Sequence, residues 1–295
     1  MKDRTAVVIL AAGLGTRFRS SLPKVLHEAG GRTLIDHVVR AVSPLSAKGT
    51  FAVIGHQAER VESALQAAGH GHVHLILQKK QLGTGHALAV GERLLRRAAD
   101  TLIVVSGDTP LLATATLRSL LAFHRKRKAA ASVLTADLPD PAAYGRILRD
   151  ADGSLAGIVE LKAASEEQKR ITEINTGIYC FEVPALFDAL KKVKKNPASG
   201  EYYLTDVIEL LRKAGRRLAA CKAADRDEIT GINDRAELSR VDSLLRLRKA
   251  TDLMLAGVTI HSPESVRIDP EVRVNPDTTR SEEHTSELQS LAYLV

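Results

Sequence analysis

The stretch LAAGLGTRFRSSLPK, Leu10 to Lys24, sets two glycines, Gly13 and Gly15, and two cations, Arg17 and Lys24, directly after an apolar run. Glycine loops expose backbone N–H groups that cradle phosphates, and a cation beyond the loop adds charge to such a site. Two further places repeat the theme. KKQLGTGHA (79–87) follows VHLILQ (73–78) and carries Gly83 and Gly85 ahead of a helical pattern. SGDTPL (106–111) follows TLIVV and carries Asp108. A lone carboxylate there suits Mg²⁺, which takes one or two protein ligands and fills its octahedron with water and phosphate oxygens. Each feature alone has a plainer explanation. Glycine is the ordinary residue of a tight turn, Asp108 could cap a helix, and Arg17 and Lys24 could be solvated. Three places that agree point to a phosphate and metal site.

Such a site needs a scaffold. The apolar runs TAVVIL (5–10), TFAVIG (50–55), VHLILQ (73–78), TLIVVSGD (101–108) and ASVLTA (131–136) alternate with the helical patterns 33–45, 58–69 and 85–99. Continuous β-branched runs between helices predict a parallel sheet covered on both faces, a doubly wound α/β domain. Ligands of such sheets bind beyond the carboxyl ends of the strands, where all three features lie. A dinucleotide fold is disfavoured, because Phe18 stands where its third glycine belongs and no acid closes FAVIGHQ. A P-loop is disfavoured because G-K-[ST] is missing.

Composition narrows the partners. Hydrophobic content of 44% and charged content of 26% over 295 residues describe an ordinary globular chain of one large domain or two. Aromatics are 3% and Trp is absent, so stacking platforms for nucleic acid are not expected. A net charge of +7 is modest for this length and fits an anionic substrate as well as it fits nucleic acid. Cys180 and Cys221 make no disulfide framework and point to a reducing cytoplasm. No apolar run approaches the roughly 20 residues of a membrane span. The opening MKDRTAVVILAAG imitates a signal peptide, but a first buried strand is the better reading. RKRK (125–128) and KKVKK (191–195) read as solvated helix ends. HGHVHL would set His70, His72 and His74 on one strand face, with no fourth ligand for zinc.

LAAGLGTRFRSSLPKVL resembles the signature of the sugar-1-phosphate nucleotidyltransferases. QLGTGHA, SGDTPL, YGRI (144–147), GIVELKAA (157–164), EINTGIY (173–179), GEYYLTDVI (200–208) and GINDRAEL (231–238) follow in order. Over roughly residues 5–279 the set resembles the bacterial bifunctional N-acetylglucosamine-1-phosphate uridylyltransferase / glucosamine-1-phosphate acetyltransferase family. The resemblance implies the nucleotide-diphospho-sugar transferase fold. It implies transfer of UMP from UTP to N-acetylglucosamine-1-phosphate, giving UDP-N-acetylglucosamine and pyrophosphate for cell-wall and lipopolysaccharide precursors. Leu10, Ala11, Ala12 and Gly13 would hold the nucleotide, and Arg17 and Lys24 would act on the triphosphate. Gln78, Gly83 and Thr84 would read the uracil edge. Asp108 and Asn233 would hold Mg²⁺. Gly145, Glu160 and Asn175 would contact the amino sugar and ribose. Two departures touch the sugar side: Ala163 follows Lys162 where the family often has aspartate, and Ser106 stands where some relatives have tyrosine. A related enzyme for another sugar or nucleotide, such as glucose-1-phosphate with dTTP, is one alternative. A non-catalytic sugar-nucleotide sensor is another, and the Asp108–Asn233 pair argues against it.

Beyond this lies ELSRVDSLLRLRKATDLMLAG (237–257), which predicts one long helix ended by Gly257. Val266 and Val272, Ile268 and Val274, and Pro270 and Pro276 then repeat at six residues, a period that resembles the hexapeptide repeat of a left-handed parallel β-helix. The expected division is a uridylyltransferase domain over 1–230, a linker with the long helix over 231–257 and the start of a β-helix over 258–279. A tail without function is expected over 280–295, where RSEEHTSELQS resembles a translated sequencing adapter. Acetyl transfer is expected to be absent. The full-length family is trimeric, and this chain is expected to be monomeric or weakly associated.

Overall fold

The computed structural model describes residues 4–45 and 49–280. Its strands, in chain order, are β1 (Thr5–Leu10), β2 (Glu28–Ala29), β3 (Arg32–Thr33), β4 (Thr50–Ile54), β5 (His74–Leu77), β6 (Thr101–Ser106), β7 (Ala131–Asp137), β8 (Arg146–Arg149), β9 (Leu155–Val159), β10 (Glu173–Glu182), β11 (Leu218–Lys222), β12 (Thr259–Ile260) and β13 (Thr279–Arg280). Its helices are α1 (Leu34–Val42), α2 (Ala58–Ala67), α3 (Thr84–Ala89), α4 (Glu92–Ala98), α5 (Thr114–Arg127), α6 (Glu166–Lys169), α7 (Val183–Leu190), α8 (Asp206–Lys213) and α9 (Arg235–Leu255). Contacts divide the chain into two units. One runs to His27 and resumes over Leu34–Asn233; the other joins Glu28–Thr33 to the residues from Asp234 on.

The first unit is built on one sheet of order β11-β7-β10-β6-β1-β4-β5. β1 pairs in parallel with β4 and β6, β4 with β5, and β7 with β11. Along β1, Ala6 and Val8 join one apolar layer and Val7 and Ile9 the other. Residues of α3, α4, α7 and α8 fill the first layer, and residues of α1, α2 and α5 the second. Burying each Val, Leu or Ile side chain of these layers contributes about 1.5–3 kcal/mol. A run with no polar alternation is therefore stable only in a strand covered on both sides. The five expected strands all form, each end within two residues of its expected place.

Three local departures have physical causes. The helix expected over 85–99 divides into α3 and α4 at Val90 and Gly91, and a Cβ on Gly91 would sit 2.8 Å from Ile76 Cδ1, so only glycine fits at the junction. The three histidines do not share a strand face. β5 begins only at His74, while His70 lies in the preceding turn, buried, with Nε2 2.5 Å from the Asp36 carboxylate. Finally, β10 runs antiparallel between β6 and β7. Its first residues consequently lie at the edge where its parallel neighbours end.

The second unit rests on α9, capped by the Asp234 carboxylate, which accepts from Ala236 N and Glu237 N at 2.9 Å. The hairpin β2–β3 packs on this helix. Gly30 N donates to Asp242 Oδ1 at 2.7 Å, and a Cβ on Gly30 would come within 2.8 Å of Leu245 Cβ. Gly257, at φ +99°, follows the helix end. The chain then returns on itself: β12 and β13 pair in parallel, Thr259 opposite Thr279. Val266, Ile268 and Val274 pack against Ala250, Leu253, Val258 and Ile260. No strand forms over 261–278, and Val272 is 43% exposed. A β-helix coil buries its apolar edge against the next coil, and the described residues hold a single return. Residues 281–295 of the expected tail lie outside the described residues.

Candidate active site

Strand register brings the loops together. Leu10 lies opposite both Val53 and Ser106, and Ile54 opposite Leu77. One more rung follows each pair: Ala11 N donates to Val53 O, Gly107 N to Leu10 O and Gln78 N to Ile54 O, at 2.8–2.9 Å. The loops after β1, β4, β5 and β6 thus leave the sheet from one edge.

After β1, Ala11 and Ala12 are buried and Gly13 is exposed. A Cβ on Gly13 would meet nothing within 4 Å, so this glycine serves open space in front of the loop. Gly15 answers a packing need: its φ is +61°, and a Cβ there would lie 2.8 Å from Lys24 Cβ. Phe18 is 1% exposed, its ring 4.6 Å from that of His27. The residue that breaks the dinucleotide motif is thus the anchor of a short turn, Thr16–Phe18, whose Arg17 is exposed. Arg17 Nη2 donates to Asn233 Oδ1 at 2.7 Å. Lys24 Nζ pairs with the Asp108 carboxylate. Asp108 is 8% exposed, and its carbonyl accepts from Ile232 N at 3.0 Å. Gly231 stands before its carboxylate, where a Cβ would lie 3.7 Å from Oδ1. Arg17, Lys24, Asp108 and Asn233, up to 216 residues apart in sequence, form one group of two cations and two oxygen donors.

Gln78, 3% exposed, directs Nε2 to Gly83 O at 3.1 Å, and the same nitrogen lies 3.0 Å from His86 Nδ1. Gly83 has φ +94°, and a Cβ would lie 2.7 Å from Tyr202 O. Thr84 Oγ1 accepts from Leu204 N at 3.1 Å. Gly55 ties this group to the first loop, since a Cβ there would lie 3.0 Å from Ala12 Cβ and 3.1 Å from Gln78 O. On the other flank, Asn175 N donates to Gly145 O at 2.8 Å, and a Cβ on Gly145 would lie 3.4 Å from Glu160 Oε2. Thr205 Oγ1 donates to Glu160 Oε1 at 3.2 Å. Asn175 Nδ2 donates to Tyr179 Oη at 2.8 Å. Burial pushes the Glu160 carboxyl pKa up, and nearby Asp206 adds to it against the Thr205 hydrogen bond. Burial also raises the Tyr179 hydroxyl pKa, so it stays neutral.

All the residues expected at a site therefore fall into three groups along one edge. The segment 202–205 joins two of them, through Gly83, Thr84 and Glu160. Tyr202, Thr205, His86 and Gly55 had no role in the sequence reading. Tyr202 and Thr205 lie in GEYYLTDVI and His86 in QLGTGHA, stretches marked without a role for these residues, and no spacing pattern reveals Gly55. A separate open cavity of about 440 Å³ beside Asp137, Lys222 and Arg226 holds none of the expected residues. Lys222 there is paired with Asp137 at 2.6 Å.

A family model described as nucleotidyl transferase matches residues 6–228. The chain belongs to the nucleotidyl transferase family. It is 48% identical over 273 residues to the bifunctional protein GlmU of Pelotomaculum thermopropionicum, covering 92% of this chain and 59% of that protein. It is 48% identical over 276 residues to the bifunctional protein GlmU of Syntrophotalea carbinolica, covering 94% and 59%. The chain thus spans about 59% of the length of these curated relatives. Among solved structures, it resembles a UDP-glucose pyrophosphorylase complexed with UDP-glucose, at TM-score 0.66, 18% identity and 82% and 98% coverage. It also resembles HddC from Yersinia pseudotuberculosis, at TM-score 0.61, 19% identity and 81% and 98% coverage. At such identities the likeness speaks to the nucleotidyl transferase fold. No helix among the described residues is long and apolar enough to cross a membrane.

Proposed function

We propose that this nucleotidyl transferase moves UMP from UTP to N-acetylglucosamine-1-phosphate, releasing pyrophosphate, with Mg²⁺. The observation that carries the reading is the meeting of Arg17, Lys24, Asp108 and Asn233 beside the glycine loop; the relatives named GlmU support the choice of sugar and nucleotide. The donor set fits the ion. Asp108 and Asn233 offer one carboxylate and one amide oxygen, and each already engages a cation of the loop. Two such donors suit a metal which keeps several waters. When bound, Mg²⁺ would supply positive charge to the phosphates.

The chemistry asks little else. The attacking group is a sugar phosphate oxygen, and a phosphate monoester is largely ionised near neutral pH, its second pKa being about 6. No general base is needed. Attack at the α-phosphorus makes one P–O bond and breaks the bond to pyrophosphate, whose charge grows as it leaves. Arg17 and Lys24 stabilise that charge, and the N–H groups of the loop 11–15 hold the polyanion in place. Gln78, Gly83 and Thr84 seat the uracil, while Gly145, Glu160 and Asn175 seat the sugar and ribose. The test is pyrophosphate release from UTP and N-acetylglucosamine-1-phosphate with Mg²⁺. Release that needs both substrates is expected. Faster release with dTTP and glucose-1-phosphate would overturn the assignment of substrates.

A further inference from the structure

One buried charge outside the residues assigned so far has unusual partners. Arg146 is 3% exposed. Its guanidinium donates to main-chain carbonyls: Pro141 O at 3.4 Å, Ala142 O at 3.1 Å, Tyr144 O, and Lys169 O at 3.4 Å. No carboxylate among the described residues shares it. A buried cation is tolerated only when its donors are satisfied, and here the satisfying groups are the backbone of a single turn and the end of α6. The turn needs such a fastener. Ala142 sits at φ +41°, a conformation that side-chain-bearing residues rarely adopt.

The turn leads directly into Gly145. Gly145 O accepts from Asn175 N, and its Cα faces the Glu160 carboxylate. Arg146 therefore fixes the approach of the one residue that stands against both other members of the sugar-side group. The residues on the nucleotide side leave other strands, β1 and β5, and none of them touches Arg146.

We propose that Arg146 is a positioning residue for the sugar phosphate: its planar fork holds 141–144 so that Gly145 is set against Glu160 and Asn175. The proposal rests on the uridylyl transfer reading. Its signature is a loss confined to one substrate. Arg146→Lys keeps the charge but loses the fork of five N–H donors, and Arg146→Met keeps an unbranched stem without charge or donor.

The experiment measures both KM values for the wild type and both variants, with hydrogen exchange along the chain. In Arg146→Met the KM for N-acetylglucosamine-1-phosphate should rise about tenfold or more, the equivalent of one charge-assisted hydrogen bond. The KM for UTP should change less than about twofold, and Arg146→Lys should fall between wild type and Met. Amide exchange should quicken over 142–145 and at Asn175, and stay unchanged over 11–15. Equal rises in both KM values, or quickened exchange spread over the whole sheet, would show a merely structural residue and overturn the proposal. If Arg146→Met does not fold, Arg146→Lys decides, and an unchanged sugar KM there overturns it too. A wild type that releases no pyrophosphate strikes out the reading of function; unchanged exchange over 142–145 in Arg146→Lys would then still overturn the fastening of the turn by Arg146.

Discussion

At the scale of single residues, the buried Asp108 and the half-buried Glu160 illustrate opposite uses of a carboxylate. Asp108 is held by a cation, and its carboxylate faces the space left by Gly231. Asp108→Ala should lower kcat by about 10²-fold or more, the scale seen when a group that stabilises transition-state charge is lost. Its thermal midpoint should fall only slightly, because Lys24 can turn to water. Matched calorimetry and pyrophosphate assays would check this. A variant that unfolds or keeps full turnover contradicts it. Glu160 pairs with no cation among the described residues, and partial burial raises its pKa. Its native state therefore holds a proton that the unfolded chain has already released, and stability drops as pH rises through that window. Glu160→Gln removes the penalty. It should melt higher than wild type at pH 8, and the gain should vanish near about pH 4, where both side chains are neutral. Its KM for the sugar phosphate should rise at the same time.

At the scale of elements, the glycines show how much was legible and how much was not. Four of the five parallel strands, β1, β4, β6 and β7, were readable because a strand buried on both faces has to be continuously apolar, whereas β5 lies at the sheet edge with only Ile76 buried. Gly13, Gly15, Gly83 and Asp108 were readable because they follow such runs. The antiparallel strand β10 was not readable by period. EINTGIYCFE mixes buried polar and apolar residues, and its Glu173 is buried through Arg149 and Thr135, 2.6–2.7 Å away. Those partners lie 24 and 38 residues off in sequence. The same holds for Thr205 and Tyr202, whose value comes from what they touch across the edge. Gly83 permits a direct prediction. Alanine there meets both a positive φ and the Tyr202 carbonyl. Gly83→Ala should cost about 1–3 kcal/mol in a denaturant titration and raise the KM for UTP. An unaffected midpoint would mean that the backbone over 202–203 yields easily.

At the scale of the whole molecule, the two units are interleaved in sequence. Six residues, Glu28–Thr33, are lent by the N-terminal stretch to the unit that starts at Asp234. Asp242 is the half-buried tie: partial burial works to raise its carboxyl pKa, but Arg246 and the Gly30 N–H outweigh this and lower it. Asp242→Ala should leave the Gly30 amide without its acceptor, cost about 1–3 kcal/mol and speed exchange at that amide. Equal protection in both proteins would show that the hairpin is held by its apolar contacts alone. The lending also orders events during synthesis. Gly30 and Asp242 are 212 residues apart. At about 5–20 residues per second, the ribosome needs about 10–40 s to make the second after the first. For that interval the nascent hairpin has no helix to close upon, while the sheet strands on either side of it in sequence are already emerging.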